Sequence, residues 1–244
     1  MTLVPDRGQA PPWGVVATLG WLVAAFAIGI VVAMGAFSAL QVDTPRPKAG
    51  SYDGVVIAIG ALASIPVQIA VLAVAAQLRH WRPASYFGLN VPRRGELTFA
   101  VVSVIALIVV FDVLLYVTGR DIVAPFQVEA YKTAQEAGLL LLLLLLLAIV
   151  IVAPLGEEIA FRGFLYRGLA LPGREVHAIV IIALAWAMLH IQYDWLGMAQ
   201  IFAIGLMLGW FRWASGSTTL TILMHVLVNL EAMLETAIKV EYLS

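Results

Sequence analysis

Glu157 and Glu158 stand side by side in "APLGEEIAFRGFLYRG", and Arg162 follows Glu158 by four residues, in a chain that otherwise avoids charge. Adjacent carboxylates can take a proton, hold a cation or pair with the arginine. Helical spacing separates these uses. Residues four apart share a face, so Glu158 and Arg162 can form an ion pair, whereas Glu157 lies about 100° around the helix and points elsewhere. Two histidines offer complementary chemistry: "WAMLH" sets His190 one turn after Trp186, and "HVLVN" sets His225 one turn before Asn229. A Glu, two His and an Asn are side chains suited to activating water and stabilising an oxyanion. A single histidine at membrane depth is equally an interhelical hydrogen-bond partner, but three polar sites on three helices are harder to assign to packing alone. Asp112 reads as a helix-packing residue, and Glu231 and Glu235 as interfacial ones.

The elements that must position these residues are helices in a bilayer. With 62% hydrophobic and 12% charged residues, the chain lies outside the soluble range, and an all-α polytopic transmembrane bundle is expected. The absence of cysteine excludes disulfide frameworks, thiolate metal sites and cysteine nucleophiles, and a net charge of −1 gives no basic stripe for nucleic acid. The opening "MTLVPDRGQAPPWG" lacks a basic stretch and a cleavage site, so a retained helix is expected from Trp13. Segments of about 20 apolar residues give seven spans, at roughly 13–40, 54–78, 97–118, 138–168, 176–193, 195–213 and 217–238. They divide into N-terminal helices and loops over 1–137 and a helical core over 138–244.

Counting basic residues in short loops favours a cytoplasmic N-terminus and an external C-terminus. Arg7, Arg79, Arg82, Arg93, Arg94, Arg167, Arg174 and Arg212 fall on the cytoplasmic side, against Arg46, Lys48, Arg120, Lys132 and Lys239. Gly119 to Gly138 becomes an external loop with a short amphipathic helix. The leucine run Leu139–Leu147 is lipid-facing, and Pro154 predicts a kink. At 1.5 Å per residue, Glu157, His190 and His225 lie at roughly 16, 21 and 12 Å from the cytoplasmic side, so a shared mid-membrane cavity is expected.

"EEIAFR", "WAMLH", "FAIG" and "HVLVN" resemble, in order and spacing, the motifs of the CPBP intramembrane protease family, over about residues 150–232. That family includes the Ras-converting CAAX prenyl endopeptidase and bacterial abortive-infection and bacteriocin self-immunity proteins. Trp186 stands where the family pattern has phenylalanine. The resemblance implies that Glu157 is the general base, that His190 helps polarise a water, and that His225 and Asn229 hold the oxyanion. Glu158 and Arg162 would fix the helix and orient Glu157, although both glutamates have been discussed in catalysis. Phe202 and Gly205 would be packing positions, and Gly205 with Gly209 forms a small-residue face.

An intramembrane endopeptidase is therefore expected, acting on a membrane-associated peptide or protein in contact with lipid, in a cavity open to the cytoplasm of a bacterial cell. A proton-coupled transporter, or an immunity or scaffold protein without activity, is the alternative. Zinc on Glu157, His190 and His225 stays open; the preferred reading is a water activated without metal, because no HExxH helix is present. No nucleic-acid partner is expected, and the oligomeric state is left open.

Overall fold

The computed structural model describes residues 13–42 and 52–243. Arg7, Arg46 and Lys48 of the charge count, and the opening stretch before Trp13, lie outside the described residues. Every regular element among the described residues is helical: α1 (Val15–Ala39), α2 (Gly54–Leu78), α3 (Pro83–Phe87), α4 (Arg94–Val117), α5 (Pro125–Glu136), α6 (Leu139–Leu169), α7 (Glu175–Met188), α8 (Trp195–Ser215) and α9 (Thr218–Tyr242). Six of these, α1, α2, α4, α6, α8 and α9, are long and apolar enough to cross a membrane. The chain is an integral membrane protein.

The seventh apolar helix, α7, has 14 residues, about 21 Å, which is short of a hydrocarbon core of about 30 Å. The span expected to reach residue 193 ends at Met188, and His190 stands in the turn beyond. The ladder stops because Leu189 and His190 bond three residues back, to Trp186 and Ala187. The His190 side chain also takes the Trp186 carbonyl, Nδ1 to O 2.8 Å, which caps the helix end. Asp194 then starts α8 by accepting from the Gly197 amide at 2.8 Å.

Apolar side chains face outward as well as inward, as a lipid environment permits. Leu139, Leu140, Leu143 and Leu147 are exposed while Leu145 is fully buried. Helix contacts rely on small residues, since lipid gives apolar side chains no reason to leave it. Ala58, Ala75 and Ala76 are fully buried in α2. A Cβ on Gly156 would sit 2.4 Å from Ile65 Cγ2, and one on Gly209 would sit 2.7 Å from Ile179 Cγ2. These glycines let α6 approach α2 and let α8 approach α7.

The two ends of the bundle are tied differently. At one end, α3 and the loop after it tuck under α6 and α9. Tyr86 and Phe87 are buried, Thr218 Oγ1 donates to the Phe87 carbonyl at 2.5 Å, and Asn90 Nδ2 donates to Gly216 O at 3.1 Å. Gly88 turns there with φ +69°, and a Cβ would meet the Arg212 guanidinium at 2.6 Å. At the other end lies α5, the amphipathic helix expected between Gly119 and Gly138. Thr133 Oγ1 accepts from the Gly54 amide at 2.7 Å, Tyr131 donates to Glu241 at 3.2 Å, and Lys239 reaches Asp121 at 3.0 Å. Arg120 pairs with Asp194, joining the end of α4 to the start of α8.

Candidate active site

The site is built on α6, which changes its hydrogen-bond step twice. π-helical turns cover Ala148–Val152 and Ile159–Leu165, on either side of the two glutamates. Ala153 N–H bonds to Ala148 O, five residues back. The next bond of that series would join Pro154 to Ile149, and proline has no N–H to give. Asn229 of α9 supplies the missing donor, with Nδ2 2.8 Å from Ile149 O. The wide turn thus absorbs the proline expected to kink the helix, and one amide hydrogen of Asn229 is committed to the backbone.

Glu158 is fully buried, and its charge is met from two helices. Arg162 Nη1 lies 2.8 Å from Oε1, as the four-residue spacing requires, and His225 Nδ1 lies 3.1 Å from the same oxygen. Arg162 also donates Nη2 to Gly205 O at 3.2 Å and lies over the Trp186 ring, 4.7 Å from its centroid. Its own carbonyl accepts from Arg212 Nε at 3.0 Å. A carboxylate facing His225 accepts only, so Nδ1 carries a proton and Nε2 faces away from Glu158.

Glu157, half-buried, turns to a different neighbour. Its Oε2 accepts from the Trp186 indole N–H at 2.6 Å. The Trp186 ring stands edge-on to both imidazoles, with centroids 5.0 Å from His190 and 5.3 Å from His225. Trp186 O holds His190 Nδ1, and since a carbonyl only accepts, His190 keeps its proton there and its Nε2 lone pair free. Tyr193, which the sequence reading did not single out, closes this side. Its ring lies 6.4 Å from His190 and 4.8 Å from Phe126 of α5. Burial and then the Glu157 charge push its phenol up to about 12, so it remains a neutral donor at ordinary pH. Tyrosines outside recognisable motifs leave no local signal; only the fold brings this one in.

Glu157, His190 and His225 all gather around Trp186, whose indole bonds the carboxylate and whose ring contacts both imidazoles. His225 also meets Glu158, and Asn229 also meets the Ile149 carbonyl. A Trp fills volume that a smaller ring leaves open, and the buried Glu158 carboxylate needs the second partner that His225 provides. The ligand atoms of Glu157, His190 and His225 do not all lie within 4.8 Å of one another. Among the described residues, the group of three such side chains whose ligand atoms all lie within 4.8 Å is Asp112, Glu231 and Glu235. This also corrects the readings of Asp112 as a lone packing residue and of the two glutamates as interfacial: α4 and α9 place them together, half-buried. Gly205 packs as expected, since a Cβ there would lie 3.0 Å from Ala183 Cβ and 3.2 Å from Trp186 Cε3. Phe202 packs against the main core.

Paired glutamates, two histidines and a buried arginine together define a membrane protein with a polar core inside its helix bundle. The family model described as type II CAAX prenyl endopeptidase Rce1-like matches residues 139–230, from the first leucine of α6 to Leu230 in the middle of α9. The match is a similarity over less than half of the chain, and it falls on the stretch that carries the CPBP-like motifs. Among curated proteins and solved structures, nothing matches the chain.

Proposed function

We propose that the chain is an intramembrane endopeptidase in a bacterial cytoplasmic membrane, cutting a peptide bond in a membrane-associated or lipidated peptide or protein through a water activated by Glu157 and His190. The observation that carries this reading is the division of labour between the glutamates. Glu158 Oε1 is matched by a guanidinium and an imidazole, whereas Glu157 is held through one oxygen by a neutral indole, leaving its other oxygen free to accept a proton.

In the reaction, water lies between Glu157 Oε1 and His190 Nε2 and attacks the peptide carbonyl carbon. Glu157 takes the proton released as the C–O bond forms, and the carbonyl oxygen becomes an oxyanion. His225 Nε2, when it carries a second proton balanced by Glu158, and the remaining Asn229 amide hydrogen are the donors for that oxyanion. Glu157 then delivers its proton to the leaving nitrogen as the C–N bond breaks, giving a carboxylic acid and an amine, and transfer of the acid's proton to the amine leaves a carboxylate and an ammonium. A route without metal is the reading preferred here, because no HExxH helix is present to bring two histidines to one face.

Peptides from membranes of cells carrying the wild-type chain or Glu157→Gln, compared by mass spectrometry, test the proposal. The expected result is a set of cut peptides present only with the wild-type protein, with the variant inserted to the same level and its turnover reduced at least about 100-fold. Identical peptide sets would overturn the reading. With a substrate in hand, chelation should leave the rate unchanged; activity lost with stoichiometric zinc and regained on its return would replace the metal-free route.

A further inference from the structure

Trp186 has a chemical property that the phenylalanine of the family pattern lacks, an N–H, and it is used. That donor meets Glu157 Oε2 at 2.6 Å, in a ring that is 3% exposed and fixed on all sides. Arg162 covers one face, the two imidazoles stand at its edges, and Gly205 leaves room for Cε3. The neighbouring Glu158 shows what a carboxylate at this depth otherwise draws in, a guanidinium and an imidazole. We infer that Trp186 is a positioning residue whose indole N–H holds the Glu157 carboxylate beside His190 without neutralising it.

The inference rests on the base role given to Glu157 above and adds a chain-specific device to it. A cationic partner would fix Glu157 equally well but would oppose its uptake of a proton. A neutral donor fixes one oxygen and leaves the carboxylate a base. The bond also ties the base to the nucleophile's second contact, because the same residue's carbonyl sets the His190 tautomer. One residue thereby sets the separation of both groups that face the water.

Two measurements on the full chain in detergent test this separately from proteolysis. With 15N-labelled tryptophan, the Trp186 indole resonance, identified by its loss in Trp186→Phe, should lie downfield of the other indoles and move upfield in Glu157→Ala. An unchanged resonance overturns the inference, whether or not any substrate is cleaved. Once a substrate is known, site-specific replacement of Trp186 by benzothienylalanine keeps the bicyclic ring and removes only the N–H. The expected effect is a fall in kcat of at least about tenfold with KM unchanged, the loss of one hydrogen bond to a charged group. Wild-type kcat in that protein would show that ring packing alone matters. A wild-type chain that cleaves no membrane peptide would remove the protease reading, and the indole resonance would still decide whether Trp186 holds Glu157.

Discussion

Arg162 makes three kinds of contact from one buried position: an ion pair to Glu158, a hydrogen bond to the Gly205 carbonyl, and a cation–π contact with Trp186. A planar fork can serve all three, and a lysine ammonium cannot. Arg162→Ala leaves the buried Glu158 charge with His225 alone, a loss of about 3–5 kcal/mol for a broken buried pair. The expected outcome is a sharp drop in folded yield, read by monodisperse recovery from detergent, with Arg162→Lys intermediate. Full recovery of the alanine variant would show that Glu158 is solvated or neutral. The pair was legible in the sequence because it is local, four residues on one helix. The His225 contact to Glu158 was not, since nothing in "HVLVN" records which of two adjacent carboxylates on another helix it will meet.

Small residues decide how closely α7 and α8 approach, and so where Trp186 lies. Gly205→Val would drive side-chain atoms into Ala183 and the Trp186 ring, where even a Cβ finds 3.0–3.2 Å. The protein should still insert, because both helices stay apolar, but the Trp186–Glu157 bond should open. The measurement is turnover beside folded yield: yield reduced modestly and turnover reduced at least tenfold, in line with a lost hydrogen bond to a charged group. Equal losses in both would mean that Gly205 supports folding alone. Helix existence and limits were readable from apolar length for the six long spans. α7 was overextended because Ile191 and Tyr193 continue its apolar character, while the side-chain cap that ends it depends on His190 turning back. The wide turns of α6 were foreshadowed only by Pro154, whose missing donor does not say where the replacement comes from.

At the scale of the molecule, α3 with its following loop closes one end and α5 the other, and the positive-inside count puts α3 in the cytoplasm. The chain has no cysteine, so single replacements can be read directly. Ser85→Cys and Glu136→Cys, both at exposed positions, should label with a membrane-impermeant maleimide from opposite sides: Ser85→Cys in inverted vesicles and Glu136→Cys in intact cells. Labelling of both from one side would reverse or break the topology. The cluster of Asp112, Glu231 and Glu235 shows how much of the whole escaped the sequence, for Asp112 is more than a hundred residues from the two glutamates and each looked ordinary alone.

The two π-helical turns make α6 three cylinders in series, each with its own angular phase. Removing one residue rotates everything on one side of the gap by about 100° relative to the other. Within Leu139–Leu147 such a rotation substitutes leucine for leucine, and the lipid meets the same surface. Between Glu158 and Arg162, at Ile159, Ala160 or Phe161, it turns Arg162 away from Glu158. A series of single-residue deletions along the helix, read by folded yield, should therefore be tolerated over the leucine run and fail at Ile159, Ala160 and Phe161. The run of identical side chains acts as a rotary bearing: it lets one end of α6 slip in phase while the other stays keyed to the site.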